Sequence, residues 1–346
     1  MTDRSRAGDD PVSLRATPET VSWGWIAADR PPVLRVKSGQ TIRIDTVTHQ
    51  GLNTAKDPVA FFGAAGIAAG DVLKDASEIY ASVRRDAAAG PHLLTGPIHV
   101  EGARPGDMLE VRVLDVEIRV PYGVNATGPG SGAVPDLLPK AEQKIIKLDL
   151  ERKVARFTRD VEVPLAPFMG IVAVAPPPEL KRVSTKPPGA FGGNIDFKHL
   201  VAGSTLYLPV FNDGALFYTG DGHACQGDGE VDGTAIEISL TPTMQLIVHE
   251  GAGKDMIGPR AEDAANYYSM GMAADLDQAL KQAVREATGF LQGQGLSAAE
   301  AYALCSLAVD FRIGEAVNNV QMVYGVIPKR LFLRPTEYWA TKKAGG

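Results

Sequence analysis

Apolar and polar positions alternate in short bursts along most of this chain. In Pro31–His49, Val33, Leu34 and Val36 precede Ser38-Gly39, and Ile42, Ile44 and Val47 follow. That pattern predicts two strands joined by a short turn. A second unit follows: Gly96–Glu101 reads as a strand, Ala103–Asp107 as a turn and Met108–Glu117 as a longer alternating strand. Further short strands are expected at 144–150, 154–157, 161–163, 205–210, 233–240 and 244–248. The Pro- and Gly-rich stretches 121–140 and 164–193 read as long irregular loops, the kind that often carries function.

The period changes after about residue 255. Leu276, Leu280, Ala283, Val284, Ala287, Phe290 and Leu291 form a helical stripe. Ser297-Ala-Ala-Glu300 matches a capping box and opens a second helix, and Val320–Ile327 reads as a returning strand. The expected fold is mainly β with an α+β C-terminal part. The expected divisions are a flexible tail at 1–20, a β-rich domain at 21–163, a second β-rich region at 164–254 that carries the active-site loops, and the α+β region at 255–346.

Composition narrows the function classes. Net charge is -6 and charged residues make up 22% of the 346 positions, which argues against a nucleic-acid partner. The apolar run Pro58–Gly70 is too short to span a bilayer, so no membrane role is expected, and it reads as a buried or tightly packed loop. The polar first twenty residues lack the apolar core of a secretory signal, and two cysteines, Cys225 and Cys305, build no disulfide scaffold. The expected location is the cytoplasm. There is no G-x-S-x-G elbow, no Walker A motif and no G-x-G-x-x-G between strand and helix, so a serine hydrolase or a nucleotide enzyme is not supported.

The densest chemistry lies in Gly220–Glu230, GDGHACQGDGE. Its bland reading is a hairpin with two GDG turns and a satisfied histidine. Its functional reading pairs the His223 imidazole with the Glu230 carboxylate, a donor set suited to a first-row divalent ion. Asp221 and Asp228 then form turns or orient the imidazole. In Pro187–Asp196, the glycines permit close approach, and Asn194 and Asp196 point the same way if a strand starts there. His99 and Glu101 share one face of their strand, either a solvated face or a positioned carboxylate. His49 and His249 read as structural, His199 as an ordinary packed or surface residue, and Cys225 as a buried or incidental thiol ahead of a nucleophile in its Gly-rich loop near His223. Trp23, Trp25, Tyr122 and Phe191 read as core or as pocket walls.

Together these stretches resemble the acetamidase/formamidase family. The matching segments include HLLTGPIHVEGARPGDMLEVRVLDV, PPGAFGGNID and GALFYTGDGHACQGDGEVDGTAIEISL, and the likeness runs from about residue 20 to 335. The resemblance implies a β-barrel or β-sandwich architecture and hydrolysis of short amides such as formamide and acetamide to a carboxylic acid and ammonia. It also implies a homo-oligomer acting on a small-molecule amide. Carried onto this chain, it gives Asp196, His223 and Glu230 as ligands of a divalent metal, zinc foremost. Glu230 or Glu101 would be the general base and the other a ligand, with Asn194 or a glycine N–H at the oxyanion. Hydrolysis of another C–N bond, in a larger, cyclic or amino-acid amide or a carbamate, and a non-catalytic metal-binding protein are the alternatives.

Overall fold

The computed structural model describes residues 11–334. Two large sheets carry the fold. The longest pairing joins strand Met108–Ile118 to strand Leu240–His249, antiparallel, with Leu240 opposite Ile118 and His249 opposite Met108. This pair lies inside a nine-stranded sheet that runs from Val12–Leu14 at one edge to Asp310–Glu315 at the other. Leu109 and Val111 from this sheet share one core with Ile171 and Phe217 from the second, eleven-stranded sheet. The arrangement is therefore sandwich-like, not a closed barrel.

Strand Phe217–His223 runs through the second sheet. One edge pairs with Phe168–Ala173, with Ile171 opposite Gly220. The other edge pairs first with Leu93–Glu101, where Gly220 meets Leu94, and then with Glu237–Ile238, where His223 meets Glu237. A Cβ at Gly220 would sit 2.2 Å from the Leu93 carbonyl oxygen. The first GDG is thus not the expected turn: glycine is needed at Gly220 because Leu93 and Leu94 of the neighbouring strand crowd it. Only the second GDG, Gly227–Gly229, lies in a turn.

Other expectations shift for related reasons. Tyr122–Thr127 is a strand paired with Glu142–Asp149, inside the stretch expected to be loop. Phe168–Ala173, in the second expected loop, is a strand buried at every position, so no alternation marks it. The apolar run at 58–70 opens with the short helix Pro58–Gly63, because Asp57 accepts a hydrogen bond from the Ala60 N–H and Pro58 stands in the first turn. Helix Lys74–Ser82 follows. Of the expected tail, residues 1–10 lie outside the described residues, while Val12–Leu14 pairs in parallel with Ile42–Ile44. The boundaries expected at 164 and 255 do not part the sheets, since strands from all three segments lie side by side in the nine-stranded one.

The C-terminal helices form where the stripe and the capping box place them. Leu276–Gly293 begins at Asp275, whose side chain accepts from the Gln278 N–H, and it buries Ala279, Ala283, Ala287, Phe290 and Leu291. Ala298–Ala308 carries the complete capping box of Ser297 and Glu300. No helix among the described residues is long and apolar enough to cross a membrane.

Candidate metal centre

At the His223 end of the second sheet, side chains from distant parts of the chain converge. Asp221 and His223 alternate along their strand and so share a face. Asp221 Oδ2 and Glu237 Oε1 lie 3.4 and 3.3 Å from His223 Nε2. Glu230 Oε1 is 3.9 Å from the same nitrogen, and Asp196 Oδ1 is 4.0 Å from His223 Nδ1. His49 Nδ1 and His92 Nε2 approach the two Asp221 oxygens at 3.8 and 3.7 Å. Glu315 joins Asp196 and Glu230 in a further group whose ligand atoms lie within 4.8 Å of one another. All eight side chains are buried.

Backbone contacts deliver each group. The Asp196 N–H donates to the Gly170 carbonyl at 3.1 Å, and the Gly229 N–H donates to the Gly314 carbonyl at 3.0 Å, drawing Glu230 beside Glu315. A Cβ on Gly170 would lie 2.5 Å from Asp196 Oδ1 and 2.8 Å from His223 Cε1. The missing side chain is what lets these two groups meet. Asp196, Asp221 and Glu230 all hold positive φ, at 42°, 57° and 44°. Non-glycine residues adopt that region rarely and at a cost of order 1–3 kcal/mol each, and such strain collects at functional sites.

Polar neighbours set the imidazoles. Gln226 Oε1 lies 2.9 Å from His223 Nδ1, while Gln226 Nε2 donates to the Asp196 carbonyl at 2.9 Å. In the neutral ring an Nδ1–H donating to Gln226 leaves the Nε2 lone pair facing Asp221 and Glu237. Asn318 Nδ2 donates to Asp196 Oδ2 at 3.0 Å. His92 Nδ1 lies 3.3 Å from the Thr185 carbonyl oxygen, which turns Nε2 toward Asp221.

The electrostatics ask for positive charge. Among the described residues, no Lys or Arg makes an ion pair with Asp196, Asp221, Glu230, Glu237 or Glu315. Burial pushes Glu230 up to about 8 and Glu237 up to about 7, with neighbouring acids adding to both. Burial, with Glu230 and Glu315 close by, also holds Asp196 well above the usual carboxylate range. Burial depresses the His223 imidazolium, but Glu237 and Asp221 outweigh it and hold the ring well above its ordinary value. Asp196 Oδ1, Asp221 Oδ1, His223 Nε2, Glu237 Oε2 and both Glu315 oxygens are buried without a hydrogen-bond partner. Unsatisfied N and O donors around uncompensated negative charge are what a divalent cation satisfies, so these residues fit a metal.

Comparison with known proteins gives the family. A family model described as the Acetamidase/Formamidase family matches residues 67–186 and 180–334. The chain belongs to the acetamidase/formamidase family. It is 29% identical over 208 residues to an acetamidase of Mycolicibacterium smegmatis, covering 43% of this chain and 51% of that one. It is 30% identical over 192 residues to a formamidase of Methylophilus methylotrophus, covering 40% and 47%. The chain spans about half the length of the curated relatives it matches. A crystal structure of an acetamidase from Bacillus halodurans superposes with a TM-score of 0.76 at 28% identity, covering 94% of this chain and all of that one.

Within this acetamidase/formamidase-family chain, Asp196, His223 and Glu230 lie in one cluster. Glu101 does not join them. Leu94 is the residue of its strand that faces Gly220, and Glu101 stands exposed at the strand's far end, on the order of 20 Å away at the usual rise per residue. Asn194 is buried beside Ile171, its Oδ1 without a hydrogen-bond partner; the amide that bonds Asp196 is Asn318. Sequence reasoning passed over Glu237, Glu315 and His92, read His49 as structural and gave Asp221 a supporting part. Burial pushes the Cys225 thiol up to about 11, which suits a wall better than a nucleophile.

Proposed function

We propose that this chain hydrolyses small linear amides to a carboxylic acid and ammonia at the cluster around His223. The observation that carries the reading is the convergence of five buried carboxylates, unpaired by any Lys or Arg among the described residues, on His223 in a chain of this family. Formamide and acetamide, the substrates implied by the names of relatives, are the first candidates.

Asp196, Asp221 and His223 would hold a divalent cation, with Glu237 and Glu315 completing the charge; zinc suits such a mixed N and O set. When bound, a divalent cation there supplies Lewis acidity and lowers the pKa of water. Glu230 serves as the general base. It is the one residue of the cluster that also lines a cavity of about 450 Å³. Burial lifts its carboxyl to about 8 without a cation; the charge of a bound divalent ion would lower it into the range where the carboxylate takes a proton from water and returns it to the departing nitrogen near neutral pH. Gln226 holds His223 in one tautomer, and Gly170 keeps Asp196 and His223 in register. The net reaction adds one water across the C–N bond.

Glu230→Gln separates the base from the ligands. It is expected to retain metal and lose about 10²–10⁴-fold in turnover, whereas Asp196→Asn and His223→Ala lose metal. Metal content with ammonia release on the three variants checks this. Full activity in Glu230→Gln would remove the base assignment.

A further inference from the structure

The cavity beside Glu230 is larger than a two-carbon amide needs. At about 450 Å³ it lies within the range of pockets that hold ligands of many atoms. At roughly 30 Å³ per molecule of liquid water, it has room for well over ten waters, while acetamide has four heavy atoms. Its walls differ in character. Ile146, Phe157, Val163, Ile236 and the buried Cys225 are apolar residues among those that line it. Asp228, Glu230 and Asp232 are the charged residues among those that line it. Asp228 is tied to Lys198 at 2.9 Å and Asp232 to Asn125 at 2.9 Å, so both acids are held at the wall.

We infer that this cavity is an acyl pocket, and that the chain takes neutral amides with apolar acyl groups of about four to eight carbons in preference to acetamide. The inference rests on the hydrolytic reading above and assigns its substrate class. The carboxamide end meets Glu230, and the hydrocarbon lies along Ile146, Phe157 and Ile236. Burying each added methylene there replaces water against an apolar wall and raises kcat/KM about three- to four-fold. An acyl chain that ends in a carboxylate is disfavoured, because its charged end would lose hydration against Ile146, Phe157, Val163 and Ile236, and no Lys or Arg is among the residues that line the cavity to pair with it.

The test is kcat/KM for acetamide, butyramide, hexanamide and succinamic acid, the last matching butyramide in length but ending in a carboxylate. The expected order is hexanamide above butyramide above acetamide, with succinamic acid at least about ten-fold below butyramide. Ala166→Leu, which fills the cavity wall, and Phe157→Ala, which removes part of it, are each expected to lower the hexanamide-to-acetamide ratio, the former at least about ten-fold. Acetamide equal to or better than hexanamide in the wild type overturns the inference and leaves the hydrolytic reading standing. If no amide is turned over, the hydrolytic reading fails, and calorimetric titration of the same amides still decides the pocket. Affinity that grows with chain length and drops in Ala166→Leu supports it; no heat with hexanamide overturns it.

Discussion

Gly170 shows how much of this site is set by a side chain that is not there. Any Cβ at that position collides with Asp196 Oδ1 and His223 Cε1 at 2.5 and 2.8 Å. Its own φ carries no left-handed strain, so alanine is acceptable to the backbone and unacceptable to the site. Gly170→Ala is expected to fold and to lose at least about 100-fold in amide turnover, together with metal, because displacing reacting groups by about 1 Å costs that much. Circular dichroism with metal analysis separates this from misfolding. Gln226 acts through its neighbours. Gln226→Leu removes the partner of His223 Nδ1 and the bond to the Asp196 carbonyl. Loss of such an outer contact typically weakens metal binding about 10–100-fold, and titration against a chelator measures it. Neither residue stands out in the sequence: Gly170 is one of 37 glycines, and Gln226 lies between two more conspicuous motifs.

Among the elements, legibility follows how many faces of a strand are buried. Met108–Ile118 has exposed positions in its second half, so alternation reveals it. Phe217–His223 and Phe168–Ala173 are buried on both faces, and the glycines that let them pack closely read as turns in one dimension. The C-terminal helices were plain because a one-sided stripe and a capping box are both local signals. The central strand pair also carries a titratable cluster. Glu110 accepts hydrogen bonds from Arg112 and from His249 across the pair. Burial pushes Glu110 up, but those two partners outweigh it and hold the carboxyl below its ordinary value of 4.5. A native pKa depressed in this way contributes stability above the unfolded value, and that stability is lost as pH falls through the native one. Glu110→Gln is therefore expected to be less stable at neutral pH by about 1–3 kcal/mol. Its melting temperature should also fall less steeply below pH 4.5 than the wild type's. Thermal melts from pH 3 to 7 check both; parallel acid limbs would contradict the assignment.

At the scale of the molecule, the fold brings residue 49 to residue 315 and concentrates five acids in one buried place. The motifs Gly192–Asp196 and Gly220–Glu230 were legible as chemistry, because turn residues and ligand types crowd them. His49, His92, Glu237 and Glu315 were not, because nothing local marks a lone histidine or glutamate as converging on a site built by two sheets. Glu101 misled for the same reason: its strand leads to the site, but from the opposite end. Buried like charges destabilise a fold until a cation answers them. A divalent ion that binds the native state alone then adds stability by mass action, about 2.7 kcal/mol at a hundred times its Kd.

The central claim is that this cluster holds a metal that amide hydrolysis requires. The direct measurement is ammonia release from acetamide and hexanamide on purified protein, with metal quantified in the same samples before chelation, after it and after a divalent ion is restored. The expected result is about one or more equivalents of metal at the start, loss of activity on chelation, and recovery with zinc or another first-row divalent ion. Ammonia release that persists undiminished in protein stripped of metal would contradict the account.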